Sequence, residues 1–163
     1  MKLILGIGNP EFKYKNTRHN AGLMVIDELA SRKKVKGIIV RRSDKSMNNS
    51  GRFVEKQVAN YRQSLTNGDS LKLDSLYVVH DDLDIPIGAF KIQFGKGPKV
   101  HNGLNDIYEK IGTSDFWHVR VGVDNRKTED RMAGKEYVLR DFSEEEKLIL
   151  NGVINEICNQ LVV

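Results

Sequence analysis

Two polar side chains that lie far apart in the sequence, His19 and Asp81, could together activate water for hydrolysis. A hydrolase that uses no metal needs a base that takes a proton from water and a second group that orients this base. Histidine can act as the base near neutral pH, and a carboxylate can hold its ring in the right tautomer. Taken singly, His19 could equally be an exposed loop histidine, and Asp81 could be a helix cap or a surface charge. Together they predict a water molecule activated by His19, with Asp81 as the orienting group.

Two asparagines, Asn48 and Asn102, could supply the neutral hydrogen-bond donors that such a reaction also needs. Negative charge develops on the carbonyl oxygen when water attacks an ester, and preorganised donors stabilise that charge. A structural alternative stays open for both residues and for Asn9, because asparagine is common in turns and at helix caps.

Other hydrolytic mechanisms lack their residues in this chain. No Gly-x-Ser-x-Gly motif is present, and the single cysteine, Cys158, has no histidine nearby in sequence. The four histidines and this cysteine do not have the spacing of zinc ligands, and Gly6-x-Gly8 lacks the third glycine of a dinucleotide-binding fingerprint. We therefore expect direct attack by water, with neither a metal nor a cofactor.

Composition and charge place few limits on the function. The chain has 163 residues, with 26 Lys and Arg against 22 Asp and Glu, and a sequence pI of about 9.1. This balance suits nucleic-acid binding if the cations cluster in space, but an ordinary solvated surface would also produce it. No linker or repeat divides the sequence, so residues 1–163 are expected to form one domain. The single cysteine and the short apolar runs predict a cytoplasmic protein that does not enter a membrane.

Short apolar runs that end in polar clusters predict the strands of an α/β fold. Helical spacing of apolar residues predicts helices that begin near Asn20, after Gly51, at Leu104 and at Ser143. The alternation of strands and helices predicts a mixed β-sheet flanked by α-helices. In such a fold the polar clusters lie where strands end, which is a common position for functional residues. Five strands are expected, at residues 3–7, 38–40, 76–79, 89–94 and 116–123.

The last helix carries a clear local signal at its start. Ser143 and Glu146 have the spacing of a capping box, in which the two residues satisfy each other's backbone N–H groups. Cys158 is expected to be buried in this helix and not to be reactive. The apolar residues expected to face the core are Leu148, Ile149, Ile154 and Ile157.

The polar clusters, taken in this order, resemble those of bacterial peptidyl-tRNA hydrolase. The resemblance extends over nearly the whole chain, and several spaced motifs in one order make chance agreement improbable. The segments that carry it are LGIGNP at residues 5–10, Tyr14, TRHNAG at 17–22, MN at 47–48, SG at 50–51, HDDLDIP at 80–86, HNGL at 101–104, RVG at 120–122 and YVL at 137–139.

This resemblance implies hydrolysis of the ester that joins a peptide to the 3′ end of a tRNA. It also implies a single α/β domain with a twisted mixed sheet, a monomer, and no metal or cofactor. The histidine that matches His19 acts as the base on water, and the aspartate that matches Asp81 orients it. By the same resemblance, Asn9 contacts the 3′-terminal region of the substrate. Asn48 and Asn102 hold the peptide end and the reacting water.

The remaining substrate-binding residues also follow from the resemblance. Met47 would line the peptide side of the site, and Tyr14 belongs to the same set. Members of the family hold the 5′-phosphate of tRNA with two basic residues. Arg120 matches one of them, whereas Gln93 stands at the other position, and Arg120 could equally form a structural salt bridge. The segment between the first helix and Asn48 is short, and it lacks a strand or hairpin that relatives carry.

Two alternative functions stay open at this point. The first is a catalytically weak RNA-binding relative that uses the same surface without turnover. Retention of an oriented base argues against it, because a protein that only binds RNA has no need of one. The second is an unrelated hydrolase of small esters.

Overall fold

The structure is a computed structural model that describes residues 1–65, 72–129 and 131–163. Among the helices of this part of the chain, none combines the length and the apolar character needed to span a membrane. The strands are β1 Lys2–Gly6, β2 Ile38–Arg42, β3 Leu76–Pro86, β4 Phe90–Phe94 and β5 Trp117–Asp124. The α-helices are α1 Ala21–Ser31, α2 Ser50–Ser64, α3 Asn102–Ile111, the short α4 Gly134–Tyr137, and α5 Glu144–Leu161.

These strands form one mixed sheet with the order β2-β1-β3-β5-β4. β1 pairs in parallel with β2 and β3, and β3 pairs in parallel with β5, whereas β4 is antiparallel to β5. The predicted mixed sheet is therefore confirmed, and the four predicted helices are present, with α2 and α3 beginning slightly earlier than expected. The link from β3 to β4 crosses β5 at Gly122, where a Cβ atom would lie 2.2 Å from the carbonyl oxygen of Pro86. This close approach of two backbones requires glycine.

Successive strand residues pack on opposite faces of the sheet, and both faces are covered. Ile4 and Val79 lie in the core that also contains residues of α1 and α5. Leu5 and Val78 lie in the core that also contains residues of α2 and α3. Burial on both faces explains why these strands read as continuous apolar runs in the sequence.

Strand β3 is longer than the sequence predicts. A strand at residues 76–79 followed by a polar loop is the sequence-based expectation, but β3 continues to Pro86. Residues 80–82 pair with residues 120–122 of β5, and the register shifts only beyond them. These polar residues stay in the strand because their buried side chains find hydrogen-bond partners. The predicted orienting group, Asp81, is therefore held by a central strand and not by a loop.

Helix α5 begins as predicted but buries a different stripe. The capping box of Ser143 and Glu146 is present, and Cys158 is fully buried. The prediction that Leu148 and Ile149 face the core is wrong, since they are 75% and 44% exposed. The apolar face of a helix recurs every three or four residues, and these two residues lie off that face. The buried stripe consists of Leu150, Val153, Ile154, Ile157, Cys158 and Leu161.

Candidate active site

His19, Asp81 and His101 form one hydrogen-bonded chain beside the carboxyl end of β1. His19 lies in the 3₁₀ turn Arg18–Asn20 before α1, Asp81 lies in β3, and His101 immediately precedes α3. Each carboxylate oxygen of Asp81 is 2.8 Å from a ring nitrogen, Oδ2 from Nδ1 of His19 and Oδ1 from Nε2 of His101. The structure thus brings the predicted base and the predicted orienting group together.

No role is predicted for His101 from the sequence, yet it is the second partner of Asp81. It is the N-cap residue of α3, and its Nδ1 accepts a hydrogen bond from the backbone N–H of Leu104 at 3.1 Å. A ring nitrogen that accepts an N–H carries no proton, so the proton of His101 lies on Nε2 and is donated to Asp81. The place of His101 in the polar cluster that precedes the predicted helix at residues 104–111 was the available sequence signal for capping.

The same geometry leaves His19 with one free nitrogen. Nδ1–H of His19 donates to Asp81, so the lone pair lies on Nε2, and the side chain is 14% exposed. Burial by itself lowers the pKa of His19, but the charge and the hydrogen bond of Asp81 outweigh burial and raise the pKa above 6.5. Burial would raise the pKa of Asp81, but His19 and His101 hold it well below its usual range. Asp81 is therefore ionised, and His19 is a stronger base than an isolated imidazole.

A cavity of about 560 Å³ contains seven of the eight predicted site residues in its walls. Its polar side carries the histidine–aspartate chain and three asparagines, and its apolar side includes Leu83, Val100, Val138 and Leu139. Few polar groups on otherwise apolar walls are typical of a small-molecule or cofactor site. The eighth predicted residue, Arg120, does not line this cavity. The seven are Asn9, Tyr14, His19, Met47, Asn48, Asp81 and Asn102.

Asn9 is held so that its amide N–H groups are left for a ligand. Its Oδ1 accepts a hydrogen bond from the backbone N–H of Met47 at 2.8 Å. The side chain of Asn20 makes two hydrogen bonds to the backbone of Asn9. Oδ1 of Asn20 accepts from the N–H of Asn9 at 2.7 Å, and Nδ2 of Asn20 donates to the carbonyl of Asn9 at 2.8 Å. Asn20 occupies the predicted N-cap position of α1, but it makes no capping hydrogen bond. Its role is to clamp Asn9, which the sequence did not reveal.

Asn48 and Asn102 lie in two neighbouring helical segments, and both are exposed. Asn48 is in the 3₁₀ turn Met47–Asn49, and Asn102 begins α3. Neither side chain hydrogen-bonds to another residue in the described ranges, so both amides are available to a ligand. The turn is secured by Ser50, whose hydroxyl donates to the carbonyl of Met47 at 2.6 Å. Asn48 therefore has local support despite the short segment that precedes it.

The chain of His19, Asp81 and His101 also has the residue types of a metal site. Their candidate ligand atoms lie within 4.8 Å of one another. A metal ion bound between them would compete with the hydrogen bonds that both rings already make to Asp81. A metal-free site stays a prediction.

A family model described as peptidyl-tRNA hydrolase matches residues 3–163. The chain belongs to the peptidyl-tRNA hydrolase family. The peptidyl-tRNA hydrolase of Geotalea daltonii is 36% identical over 177 residues, which cover 95% of this chain and 87% of the relative. That of a Geobacter species is 38% identical over 166 residues, which cover 89% and 81%. The crystal structure of peptidyl-tRNA hydrolase from Acinetobacter baumannii has a TM-score of 0.79 and 26% identity, covering 99% of this chain and 88% of that one.

Membership of the peptidyl-tRNA hydrolase family confirms the resemblance found in the motifs. The relatives and the solved structure carry the name of an enzyme, and the match extends over nearly the whole chain. The solved structure has the same fold. Nothing in these comparisons favours the RNA-binding alternative without turnover.

Arg120, the predicted phosphate-binding residue, lies in a second hollow of about 550 Å³. This hollow shares Leu83 with the first cavity, so the two are neighbours. The Arg120 side chain is 5% exposed; its Nε donates to Asp82 at 2.7 Å and its Nη1 to Oε1 of Gln93 at 2.6 Å. The salt bridge considered as its alternative role is thus present. The other charged residues of the hollow are Lys91, Lys96, Lys99, Arg131, Asp84 and Asp124.

A buried ion pair holds the His19 turn against the C-terminal part of the chain. Nη2 of Arg18 donates to Oε1 of Glu146 at 2.8 Å, and the two side chains are 9% and 7% exposed. Nη1 of Arg18 donates to the carbonyls of residues 140 and 141, and the N–H of His19 donates to the carbonyl of Val138 at 2.8 Å. The sequence predicts Glu146 as part of the capping box, but no sequence pattern predicts its ion pair with Arg18.

Proposed function

We propose that this protein hydrolyses the ester between a peptide and the 3′ end of a tRNA, using water that His19 activates. The observation that carries the proposal is the hydrogen-bonded chain from His101 through Asp81 to His19, at the wall of a cavity that also contains Asn48 and Asn102, whose amides have no partner among the described residues. The substrate is then peptidyl-tRNA. We expect the protein to act in the cytoplasm, as a monomer, without a metal or a cofactor.

The reaction begins when Nε2 of His19 takes a proton from water while the water oxygen attacks the ester carbonyl carbon. His19 becomes an imidazolium, which the ionised Asp81 stabilises through Nδ1–H. The tetrahedral intermediate then expels the ribose oxygen, and His19 returns its proton to that oxygen. The products are the peptide with a free carboxyl group and a tRNA with its hydroxyl restored. Proton transfer by a positioned side chain contributes roughly 10²–10⁴-fold to such a rate.

The charge that develops on the ester carbonyl oxygen needs hydrogen-bond donors. Asn48 and Asn102 are exposed to the cavity without partners in the described part of the chain, so their amide N–H groups suit this role. Removal of one such donor typically costs about 10²–10³-fold in kcat. Asn9 is assigned to the 3′-terminal region of the substrate, since Met47 fixes its oxygen and leaves only donors.

The two ends of the substrate match different parts of the surface. Met47, Leu83 and Leu139 offer apolar contacts for the peptide side chains. Tyr14 lines the same cavity, and its ring can stack on an unpaired base at the tRNA end. Both features support a substrate that is part peptide and part RNA.

The second hollow is suited to a phosphate group of the tRNA. Arg120 is already paired with Asp82, so its charge is partly compensated inside the protein. The exposed Lys91, Lys96 and Lys99 therefore supply much of the positive charge available to phosphate. Since phosphate contacts are made by such cations, this hollow supports the proposed preference for tRNA.

The test is hydrolysis of N-acetyl-aminoacyl-tRNA, compared with a free N-acetyl amino acid ester. His19→Ala should lower kcat at least ~10²-fold, the low end for loss of a general base. Lys56→Ala, which removes an exposed cation from α2, is the control and should leave turnover unchanged. Near-normal turnover of His19→Ala would contradict the assigned base. Equal kcat/KM on the two substrates would contradict the preference for tRNA.

A further inference from the structure

The carboxylate of Asp81 has two histidine partners, although the proposed reaction uses only one of them. His101 donates Nε2–H to Oδ1, and His19 donates Nδ1–H to Oδ2, each over 2.8 Å. The side chains of His101 and Asp81 are 4% and 2% exposed. This second hydrogen bond is therefore well shielded from bulk water.

The proton of His101 is held on Nε2 because helix α3 occupies the other ring nitrogen. The first N–H groups of a helix have no acceptor within the helix, and an N-cap side chain supplies one. In α3 this acceptor is Nδ1 of His101, 3.1 Å from the N–H of Leu104. A proton on Nδ1 would point at that N–H. The lone pair of Nε2 of His101 would then face the lone pair of Oδ1 of Asp81. His101 is thus a fixed donor towards Asp81.

Neighbouring groups also restrict the orientation of the His101 ring. Its centroid lies 5.2 Å from that of His19 and 5.5 Å from that of His80. At Gly103, a Cβ atom would lie 3.1 Å from Cε1 of His101 and 2.5 Å from Sδ of Met47. Only a residue without a side chain leaves space for both, so the ring is enclosed by close neighbours.

We infer that His101 is a positioning residue that fixes the orientation of the Asp81 side chain and, through it, that of the His19 ring. The inference rests on the proposed function, in which His19 must carry its proton on Nδ1 and its lone pair on Nε2. With Oδ1 bonded to a fixed donor, the carboxylate keeps Oδ2 directed at Nδ1 of His19. Helix α3 therefore fixes, through the hydrogen bonds from Leu104 to His101 and from His101 to Asp81, the carboxylate that keeps the proton of His19 on Nδ1.

The substitution Asp81→Asn exposes this coupling, because an amide has one acceptor and one donor where a carboxylate has two acceptors. His101 can only donate, so the new carbonyl oxygen must face it and the new NH₂ group must face His19. His19 then accepts at Nδ1 and carries its proton on Nε2, which disables it as the base. A wrong tautomer of this kind costs about 10⁴-fold in kcat in a serine protease, and we expect a loss of roughly 10³–10⁴-fold.

The double variant Asp81→Asn/His101→Ser should be faster than Asp81→Asn alone. Serine can still cap the N–H of Leu104, but its side chain is too short to reach residue 81. The amide can then turn its oxygen towards His19, and the proton returns to Nδ1. We expect kcat to recover about 10-fold or more with KM unchanged, a non-additive effect typical of coupled residues. Asn105→Ser, an exposed position in α3, is the matched second-site control and should give no recovery.

Nitrogen NMR of the His19 ring provides a readout that does not depend on turnover. At a pH where His19 is neutral, long-range proton–nitrogen correlations assign its proton to Nδ1 or Nε2. We expect Nδ1–H in the wild type, Nε2–H in Asp81→Asn, and Nδ1–H again in the double variant. The same tautomer in all three proteins, or a double variant no faster than Asp81→Asn, would overturn the positioning role and leave His101 as a helix cap. A wild type that does not hydrolyse peptidyl-tRNA would refute the proposed function instead, and the NMR tautomers would still decide the role of His101.

Discussion

Replacement of Glu146 by glutamine should destabilise the fold, because it leaves a buried arginine without its counter-charge. Glutamine has nearly the same shape, and it can accept a hydrogen bond from the N–H of Ser143 as the glutamate does at 2.8 Å. The capping box of α5 is thus kept. What the variant loses is the negative charge 2.8 Å from Nη2 of Arg18.

The expected loss is about 3 kcal/mol in the free energy of unfolding. Removal of one partner of a buried ion pair costs about 3–5 kcal/mol, because the other charge stays buried. Two backbone carbonyls still accept from Nη1 of Arg18, which favours the lower end. Nε of Arg18 is already buried without a partner in the residues that the structure covers, so little further compensation is at hand.

Urea unfolding at pH 7 measures this loss, with Glu145→Gln as the matched control on the exposed side of the same helical turn. The melting temperature should fall by roughly 6–12 °C. Burial raises the pKa of Glu146, but Ser143, Asn125 and Arg18 together lower it below 4.5. The stabilisation is therefore complete above pH 4.5 and is lost as the pH falls through the lower folded pKa, where the variant and the wild type should converge. A loss below about 1 kcal/mol at pH 7, or a loss equal to that of the control, would refute the reasoning.

Three further outcomes follow from the site and its surroundings. Asn48→Ala and Asn102→Ala should each lower kcat by about 10²-fold in steady-state assays. The control Asn60→Ala, on the exposed face of α2, should leave kcat unchanged. Unchanged kinetics in the first two variants would mean that both asparagines have only a structural role. The value of kcat/KM should rise with pH, because His19 must be deprotonated to act as the base. It should level off above the pKa of His19, which lies above 6.5. A flat profile from pH 5 to 9 would exclude His19 as the base. Burial lowers the pKa of His118 to about 4 in the folded state, so the unfolded state alone takes up a proton as the pH falls below 6.5. Urea titrations should then show that His118→Gln removes about 2 kcal/mol of the stability difference between pH 7 and pH 5, and that buried His80, whose pKa is also held well below 6.5, leaves part of the difference in the variant.

The positions of most strands and helices could be predicted because they depend on patterns local in the sequence, whereas the order of the strands in the sheet could not. Burial on both faces makes β1 and the first half of β3 continuously apolar. The start of α5 is specified by the capping box of Ser143 and Glu146, a signal contained in four residues. The end of β3 could not be predicted. Its polar residues look like a loop until β5 and the buried partners of their side chains are known.

Candidate site residues could be named from the sequence, but not their connections. His19 and Asp81 were predicted as base and orienting group, and they are hydrogen-bonded. The contributions of His101 and Asn20 were missed, since each depends on a hydrogen bond whose partner is fixed by the packing of separate elements. Arg120 was predicted from the resemblance to the family, and only the structure shows that Asp82 already pairs with it.

Asp81 and Asp82 are consecutive residues of one strand, with Cα atoms about 3.8 Å apart, yet they serve different hollows. Asp81 holds His19 in the first, and Asp82 holds Arg120 in the second. A strand in the middle of a sheet is a rigid support, so the two hollows are held at a fixed distance from each other. In the proposed function, the ester of the substrate binds in the first hollow and the terminal phosphate in the second. The fixed distance between the hollows then favours substrates whose two groups are equally far apart.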